Sequence, residues 1–116
     1  MLYIGSDFSL TMLKRGENKL AVKEIPLTLV RTLLNSGPWE SAFEHPHLAW
    51  LYSKELCLDI GMERAKIALN THDILIVGQY HGPRLPEGAV EFPEGTTIRW
   101  MMVSVEEDVP VMDEAT

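Results

Sequence analysis

The sequence predicts a single α/β domain of about five strands and two main helices. Short runs of alternating or β-branched residues indicate the strands. Two segments with apolar residues three and four positions apart indicate the helices. A chain of 116 residues, 46% of them hydrophobic, is long enough to bury one core but too short for two.

Turn residues separate the predicted elements. The apolar run Ile-Leu-Ile-Val at 74–77 predicts a central strand that is buried on both faces. Pro26 begins the first helix, and Asn-Ser-Gly-Pro at 35–38 ends it. Pro46 begins the second helix, which we expect Gly61 to end. The predicted strands are 2–4, 20–25, 63–69, 74–80 and 96–105, with a loop over 81–95 that holds a brief strand at 89–91.

The negative charge of the protein is concentrated at one end. The net charge is −7, but residues 106–116 contain five acids and no base. The other 105 residues carry twelve acids and ten bases, and so lack the basic face expected for binding duplex DNA or long RNA. We therefore expect a folded domain at 1–105 and an acidic, disordered tail at 106–116.

The composition favours a cytoplasmic protein. No apolar run approaches the ~20 residues that a membrane helix needs, and the first residues lack the basic and apolar regions of a signal peptide. The single cysteine, Cys57, cannot form an internal disulfide, and its apolar helical neighbours predict that it is buried. The chain matches neither a dinucleotide fingerprint nor a P-loop, and we expect no cofactor.

The segment 44–58 is the most informative part of the sequence. Because Pro46 suits the first helical position, His45 falls at the N-cap, where free backbone N–H groups favour a phosphate. The spacing of His45 and His47 does not suit one shared metal ion, since neighbouring positions at a helix start diverge by about 100°, so we expect no metal site. The alternative is that His45 only caps the helix and that His47 is solvated.

Two loops are further candidates for a binding site. Residues 5–9, Gly-Ser-Asp-Phe-Ser, follow the first strand, where open α/β sheets commonly form binding clefts. Arg84 lies in the loop 81–95 between prolines and glycines, and its guanidinium suits bidentate recognition of a phosphate. Alone, the segment 5–9 is better explained as an ordinary turn, and the segment around Arg84 is explained at least as well as a solvated surface turn.

These motifs together resemble a known family. The opening Leu-Tyr-Ile-Gly-Ser-Asp-Phe-Ser-Leu-Thr-Met-Leu looks like the family's first strand and its Asn-Ala-Phe-Ser-Leu-Asn-Met-Leu type loop. His45, Arg64, Gln79 and the run Arg-Leu-Pro-Glu-Gly at 84–88 follow in the family's order and nearly its spacing. The sequence thus resembles, over residues 2–105, the viral anti-CRISPR ring nucleases that oppose type III CRISPR defence and have relatives in bacterial mobile elements.

The resemblance implies a homodimer with a mixed sheet that binds cyclic tetra-adenylate across its two-fold axis. A two-fold dimer suits a ring of repeated nucleotides, because each protomer presents the same groups to opposite phosphates. The family cleaves this messenger without a metal into linear di-adenylates that end in a 2′,3′-cyclic phosphate. The ribose 2′-hydroxyl of the substrate is the nucleophile.

Individual roles follow from the same resemblance. His45 matches the catalytic histidine, the general acid that protonates the leaving 5′-oxygen, and Glu87 matches a glutamate that supports the site. The loop 81–95 matches a lid over the ligand. The expected ligand-binding residues are Ser6, Ser9, Thr11, His47, Arg64, Gln79 and Arg84.

The chain also departs from the family pattern. The family usually reads Gly-His-Asp/Glu-Ser-Thr at the start of the helix, whereas this chain reads Glu-His-Pro-His-Leu at 44–48, and its lid is one residue longer. These differences keep open a second hypothesis, a sponge that binds a cyclic nucleotide without cutting it. A third is an interaction protein that grips a basic partner with the tail at 106–116.

Overall fold

The computed structural model describes residues 1–63 and 67–109, which form a mixed five-stranded sheet and two α-helices. The strands are β1 (Leu2–Gly5), β2 (Glu17–Ile25), β3 (Glu40–Ser41), β4 (Ile74–His81) and β5 (Thr97–Val109). The helices are α1 (Leu27–Asn35) and α2 (Pro46–Leu56), and a short 3-10 helix covers Leu10–Met12. The predicted α/β fold class is confirmed.

The strand order in the sheet is β2-β5-β4-β1-β3. β1 runs parallel to β3 on one side and to β4 on the other, whereas β5 is antiparallel to both β4 and β2. The carboxyl ends of β1, β3 and β4 therefore lie at the same edge of the sheet. Open α/β sheets bind ligands at such an edge.

Both helices pack against one face of the sheet. Val30 of α1 and Tyr52 of α2 share a buried core with Ile4 of β1 and Ile76 of β4. The Tyr52 hydroxyl donates a hydrogen bond to the backbone oxygen of Gly78, which satisfies the one polar atom of this side chain inside the core. The contact fixes α2 against β4.

The opposite face of the sheet is covered by smaller pieces of chain. Leu75 and Val77 of β4 are buried here with Met12 and Leu69, so β4 is covered on both faces as predicted. Coverage stops before β2, where the side chain of Val22 is 63% exposed. This face thus ends in an exposed apolar area.

No strand forms at the described residues of the predicted strand 63–69, and residues 64–66 lie outside the described ones. Among the described residues of this segment, Leu69 forms only an isolated parallel bridge with Leu13, and its N–H donates to the carbonyl oxygen of Met12 at 2.7 Å. Ile67 and Leu69 pack with Met12 on the sheet face opposite the helices. The alternation of apolar residues in this segment therefore reflects burial beside the 3-10 helix. The fifth strand is instead the two-residue β3, and no strand forms at 89–91.

The end of α2 also differs from the prediction. The helix ends at Leu56, and Cys57, not Gly61, adopts the left-handed conformation that caps it, with φ of 56°. Its N–H closes the last turn on the carbonyl oxygens of Lys54 and Ser53. Cys57 is exposed, contrary to the expected burial, because the cap turns the chain out of the helical pattern.

The boundary of the domain lies later than predicted. β5 continues through Val109, and the backbone of residues 107–109 pairs with that of residues 17–19. The ammonium group of Lys19 lies 3.4 Å from the Glu107 carboxylate across this pair. The first four residues of the expected tail therefore belong to the sheet, and the expectation of disorder for 110–116 concerns residues outside the described ones.

Candidate functional site

Three chain segments carrying predicted site residues meet at the carboxyl edge of the parallel strands. Residues 6–9 follow β1, residues 42–45 follow β3, and Gln79 lies near the end of β4. The register pairs Gly5 with Val77, so Gln79 lies two residues beyond the last paired residue of β1. The sheet topology therefore brings together residues up to about seventy positions apart in sequence.

Ser9 and Thr11 form a pair of hydroxyl groups. Ser9 is the N-cap of the 3-10 helix, and its Oγ accepts a hydrogen bond of 3.2 Å from the Thr11 N–H. The two hydroxyl oxygens are 2.8 Å apart, so one hydroxyl donates to the other. The short helix thus fixes both hydroxyls in one place, as a capped turn does.

The two hydroxyls line a cavity of about 250 Å³, here called the hydroxyl cavity. Its lining residues are Asp7, Ser9, Thr11, Met12, Ala42, Glu44 and Ile67. Two of these residues carry carboxylates, and none of the described lining residues carries a positive charge. The sequence reasoning did not predict Asp7 or Glu44 as site residues, because only the fold places both loops around one space.

A second cavity, of about 370 Å³, opens on the sheet face that the helices do not cover, and is here called the sheet-face cavity. It is lined by Ser6, Asp7, Phe8, Val22, Val77, Gln79, Met101 and Val103. Asp7 lines both cavities, so the two adjoin. The cavity that the predicted residues Ser6 and Gln79 line therefore adjoins the one that Ser9 and Thr11 line.

His45 is the N-cap of α2, and Pro46 is the first helical residue, as predicted. The His45 side chain is exposed and makes no capping hydrogen bond, so its imidazole is not occupied by the helix. The preceding residue, Glu44, lines the hydroxyl cavity. His45 itself lines neither cavity, but its backbone directly follows a lining residue, and its side chain makes no hydrogen bond to the part of the chain that the structure describes.

His47 has a different environment from that expected for a solvated side chain. It is half-buried, its ring centroid is 6.4 Å from that of Trp50, and its Nε2 is buried without a hydrogen-bond partner. It lines neither of the two cavities. Within the described ranges, no group of three or more His, Cys, Asp or Glu residues is arranged to hold a metal ion.

Arg84 and Glu87 are not assembled with the other predicted residues. Both are exposed, and neither lines the hydroxyl cavity or the sheet-face cavity. The loop that carries them is attached at both ends, because the Tyr80 hydroxyl donates to the Pro83 carbonyl and Lys54 Nζ donates to the Val90 carbonyl at 2.9 Å.

Arg64 was a predicted ligand-binding residue, and it lies outside the described residues. Arg99 of β5 was not predicted, but the register places it opposite Gln79. Its Nε donates to a Glu24 carboxylate oxygen at 3.0 Å. The position of Arg99 depends on the pairing of β4 with β5, and no local pattern in the sequence indicates it.

Comparison with known proteins places this arrangement in a family. A sequence profile of the STIV B116-like family matches residues 2–98. The chain belongs to the STIV B116-like family. A solved structure of B116 of Sulfolobus turreted icosahedral virus superposes with a TM-score of 0.71 at 18% sequence identity, covering 89% of this chain and 97% of B116. At that identity the structural match of the B116-like chain supports the fold alone.

No curated protein matches the B116-like chain. Among residues 1–63 and 67–109, no helix has the length and apolar character needed to cross a membrane.

Proposed function

We propose that this protein is a metal-independent ring nuclease that cleaves cyclic tetra-adenylate and so antagonises type III CRISPR signalling in the host cytoplasm. The observation that carries the proposal is the position of His45 at the N-cap of α2, directly after Glu44, which lines a cavity together with Ser9 and Thr11. Membership of a family named after a viral protein supports a viral setting. The choice of cyclic tetra-adenylate as the substrate comes from the resemblance of the sequence motifs to those of the anti-CRISPR ring nucleases.

The chemistry requires one proton donor from the protein. The 2′-hydroxyl of a ribose attacks the adjacent phosphorus, a bond forms between O2′ and phosphorus, and the bond to the 5′-oxygen breaks. His45, as imidazolium, gives its proton to the departing 5′-oxygen, which leaves a 5′-hydroxyl and a 2′,3′-cyclic phosphate. Water takes up the proton that the 2′-hydroxyl loses, and the imidazole regains a proton from solvent before the next cut. Histidine is the side chain that most often serves as a general acid or base in enzymes. Two such cuts convert the ring into two linear di-adenylates.

Other predicted residues bind and position the ring in this proposal. The first turn of α2 offers backbone N–H groups to a phosphate beside His45. Ser6 and Gln79 line the sheet-face cavity, and Ser9 and Thr11 line the adjoining one. Arg84 and Glu87 join the site when the loop 81–95 closes, and Arg64 and His47 add ligand contacts. Holding the 2′-hydroxyl in line with the leaving oxygen supplies much of the acceleration.

A homodimer is part of the proposal. The sheet-face cavity is largely apolar and extends to the exposed Val22, so a second copy on this face would bury apolar surface. Because Ser6 and Gln79 line the same cavity, a two-fold dimer here would bring two sets of ligand-binding residues together.

The test is incubation of the pure protein with cyclic tetra-adenylate in EDTA, followed by chromatography of the products. We expect di-adenylates with cyclic phosphate ends. His45→Ala should bind the ring but cleave it about 10²–10⁴-fold more slowly, the usual contribution of general acid catalysis. His72→Asn is the matched control, since His72 has a left-handed backbone that Asn tolerates and lies in the turn before β4. Equal rates for the two variants would remove His45 from the acid role.

The second candidate function is a sponge for cyclic nucleotides. The carboxylates that line the hydroxyl cavity favour it, because they change the electrostatics next to His45. Stoichiometric binding with the ring recovered intact would select the sponge over the nuclease. A function carried by residues 106–116 predicts instead that their removal abolishes activity while His45→Ala has no effect.

A further inference from the structure

The described lining of the hydroxyl cavity is rich in hydrogen-bond acceptors. Asp7 and Glu44 carry negative charge, and no described lining residue balances it. Like charges repel each other, although water weakens this repulsion at exposed carboxylates such as those of Asp7 and Glu44. The described lining therefore favours a ligand group that has hydrogen-bond donors and no negative charge of its own.

The polar atoms of the cavity offer a defined pattern. The carboxylates of Asp7 and Glu44 are acceptors only. One of the two hydroxyl groups of Ser9 and Thr11 donates its hydrogen to the other. The accepting hydroxyl keeps its own hydrogen, which can be donated to a ligand. The site thus combines strong acceptors with one free donor. The remaining lining, from Met12, Ala42 and Ile67, is apolar.

A nucleobase with an exocyclic amino group has the complementary pattern. Its faces are apolar, its amino group donates, and the neighbouring ring nitrogen accepts. Aspartate and glutamate accept hydrogen bonds from the exocyclic amino group of cytosine in nucleic-acid recognition, and adenine presents an amino group of the same kind. The division of the cavity into an apolar part and a polar part matches a base held by both its face and its edge.

We propose that the hydroxyl cavity binds an amino-bearing base of the cyclic nucleotide, with Glu44 accepting from the amino group and the Ser9–Thr11 pair donating to a ring nitrogen. This inference rests on the proposed function. It assigns to Glu44 the preference of the protein for a base that carries an amino group. The phosphates lie outside the cavity, where the N-terminus of α2 can bind them. Glu44 is the better test position because Asp7 lines both cavities, whereas Glu44 lines only this one.

The test compares cyclic tetra-adenylate with cyclic tetra-inosinate, in which a carbonyl oxygen replaces each amino group. The wild type should bind the adenylate ring about tenfold or more tightly, because a site built around a donor rejects a ligand that lacks it. Glu44→Gln should lose most of this preference, since an amide can also donate to the carbonyl. Glu40→Gln is the matched control, an exposed carboxylate on β3 that lines neither cavity.

If Glu44→Gln increased the affinity for both rings equally, the proposal would be overturned, because the carboxylate would then act only by repelling phosphate. A second measurement does not depend on ring binding. In a titration of isotope-labelled protein, millimolar adenosine should shift the backbone amide signals of Thr11 and Ala42 more than inosine does. If the wild type binds neither ring but shows these shifts, the proposed function fails and the base site stands. Equal shifts of these signals with adenosine and with inosine would rule out the base site.

Discussion

At the scale of single residues, Asp73, which lies directly before β4, carries a buried carboxylate. Asp73 is 7% exposed, and its carboxylate accepts from the terminal ammonium group of Met1 at 3.1 Å and from the Asn70 N–H at 2.8 Å. Burial raises the pKa of this carboxyl, but the hydrogen bonds from Asn70 and the nearby ammonium charge outweigh it, so its pKa lies below the ordinary value. The stability of the fold should therefore depend on pH.

The lowered pKa of Asp73 fixes the direction of this dependence. Its contribution is fully present above the unfolded-state pKa of about 3.9 and is lost as the pH falls through the lower folded-state value. Asp73→Asn should cost about 1–3 kcal/mol at pH ~5, the usual contribution of hydrogen bonds to a charged group, and less at pH ~3. Urea unfolding at both pH values measures this, with the exposed Asp59→Asn as control. Parallel pH dependence in the wild type and in Asp73→Asn would contradict the assignment.

At the scale of elements, the contact between α2, β4 and β5 depends on one glycine. A Cβ on Gly78 would lie 2.6 Å from Trp100 Cζ3 and 2.7 Å from Tyr52 Cε1, closer than real side chains approach. The rings of Tyr52 and Trp100 meet edge to face with centroids 5.9 Å apart. Gly78 therefore leaves the space in which these two aromatic residues pack.

Gly78→Ala should destabilise the protein by about 1–3 kcal/mol, the usual cost of overpacking a core, because both rings are buried and neither can move freely. Chemical unfolding of the purified variant measures the change. Gly37→Ala is the control, since a Cβ there meets no atom within 4 Å. Equal stability of the two variants would show that α2 moves away from β4 at little cost.

At the scale of the whole molecule, the second face of the sheet is the main uncovered apolar surface near the candidate site. Val22 is 63% exposed and pairs with Val103 in the β2–β5 register, so both side chains lie on this face. The proposed dimer would cover it. Val22→Lys should leave the monomer folded, since the side chain is exposed, but weaken association by about 3–5 kcal/mol through an unpaired buried charge.

Sedimentation of Val22→Lys against the wild type tests this prediction, with cleavage of cyclic tetra-adenylate measured on the same samples. Val22→Thr is the matched control, because it keeps a β-branched side chain without a charge. We expect the Lys variant to be monomeric and inactive and the Thr variant to behave as a dimer. A monomeric wild type, or a dimeric and active Lys variant, would exclude this face as the interface.

Local rules explain what the sequence predicted correctly. Pro46 at the first position of α2 and His45 at its N-cap follow from the fixed φ of proline. The apolar run in β4 predicts its burial on both faces, which the exposure of Leu75, Ile76 and Val77, each at most 6%, confirms. These features depend on residues a few positions apart, whose conformational preferences the sequence displays directly.

The sequence by itself determined the fold class, the starts of both helices and the loop that carries Arg84. Only the tertiary structure decided that β3 is a strand, that Cys57 is an exposed cap, and that Glu44 shares a cavity with Ser9. The pairing of Ile4 with Ser41 and the meeting of two loops at one edge join residues more than thirty positions apart. Such contacts are stabilised by burial and hydrogen bonding that exist only once the sheet has formed, so no local pattern records them.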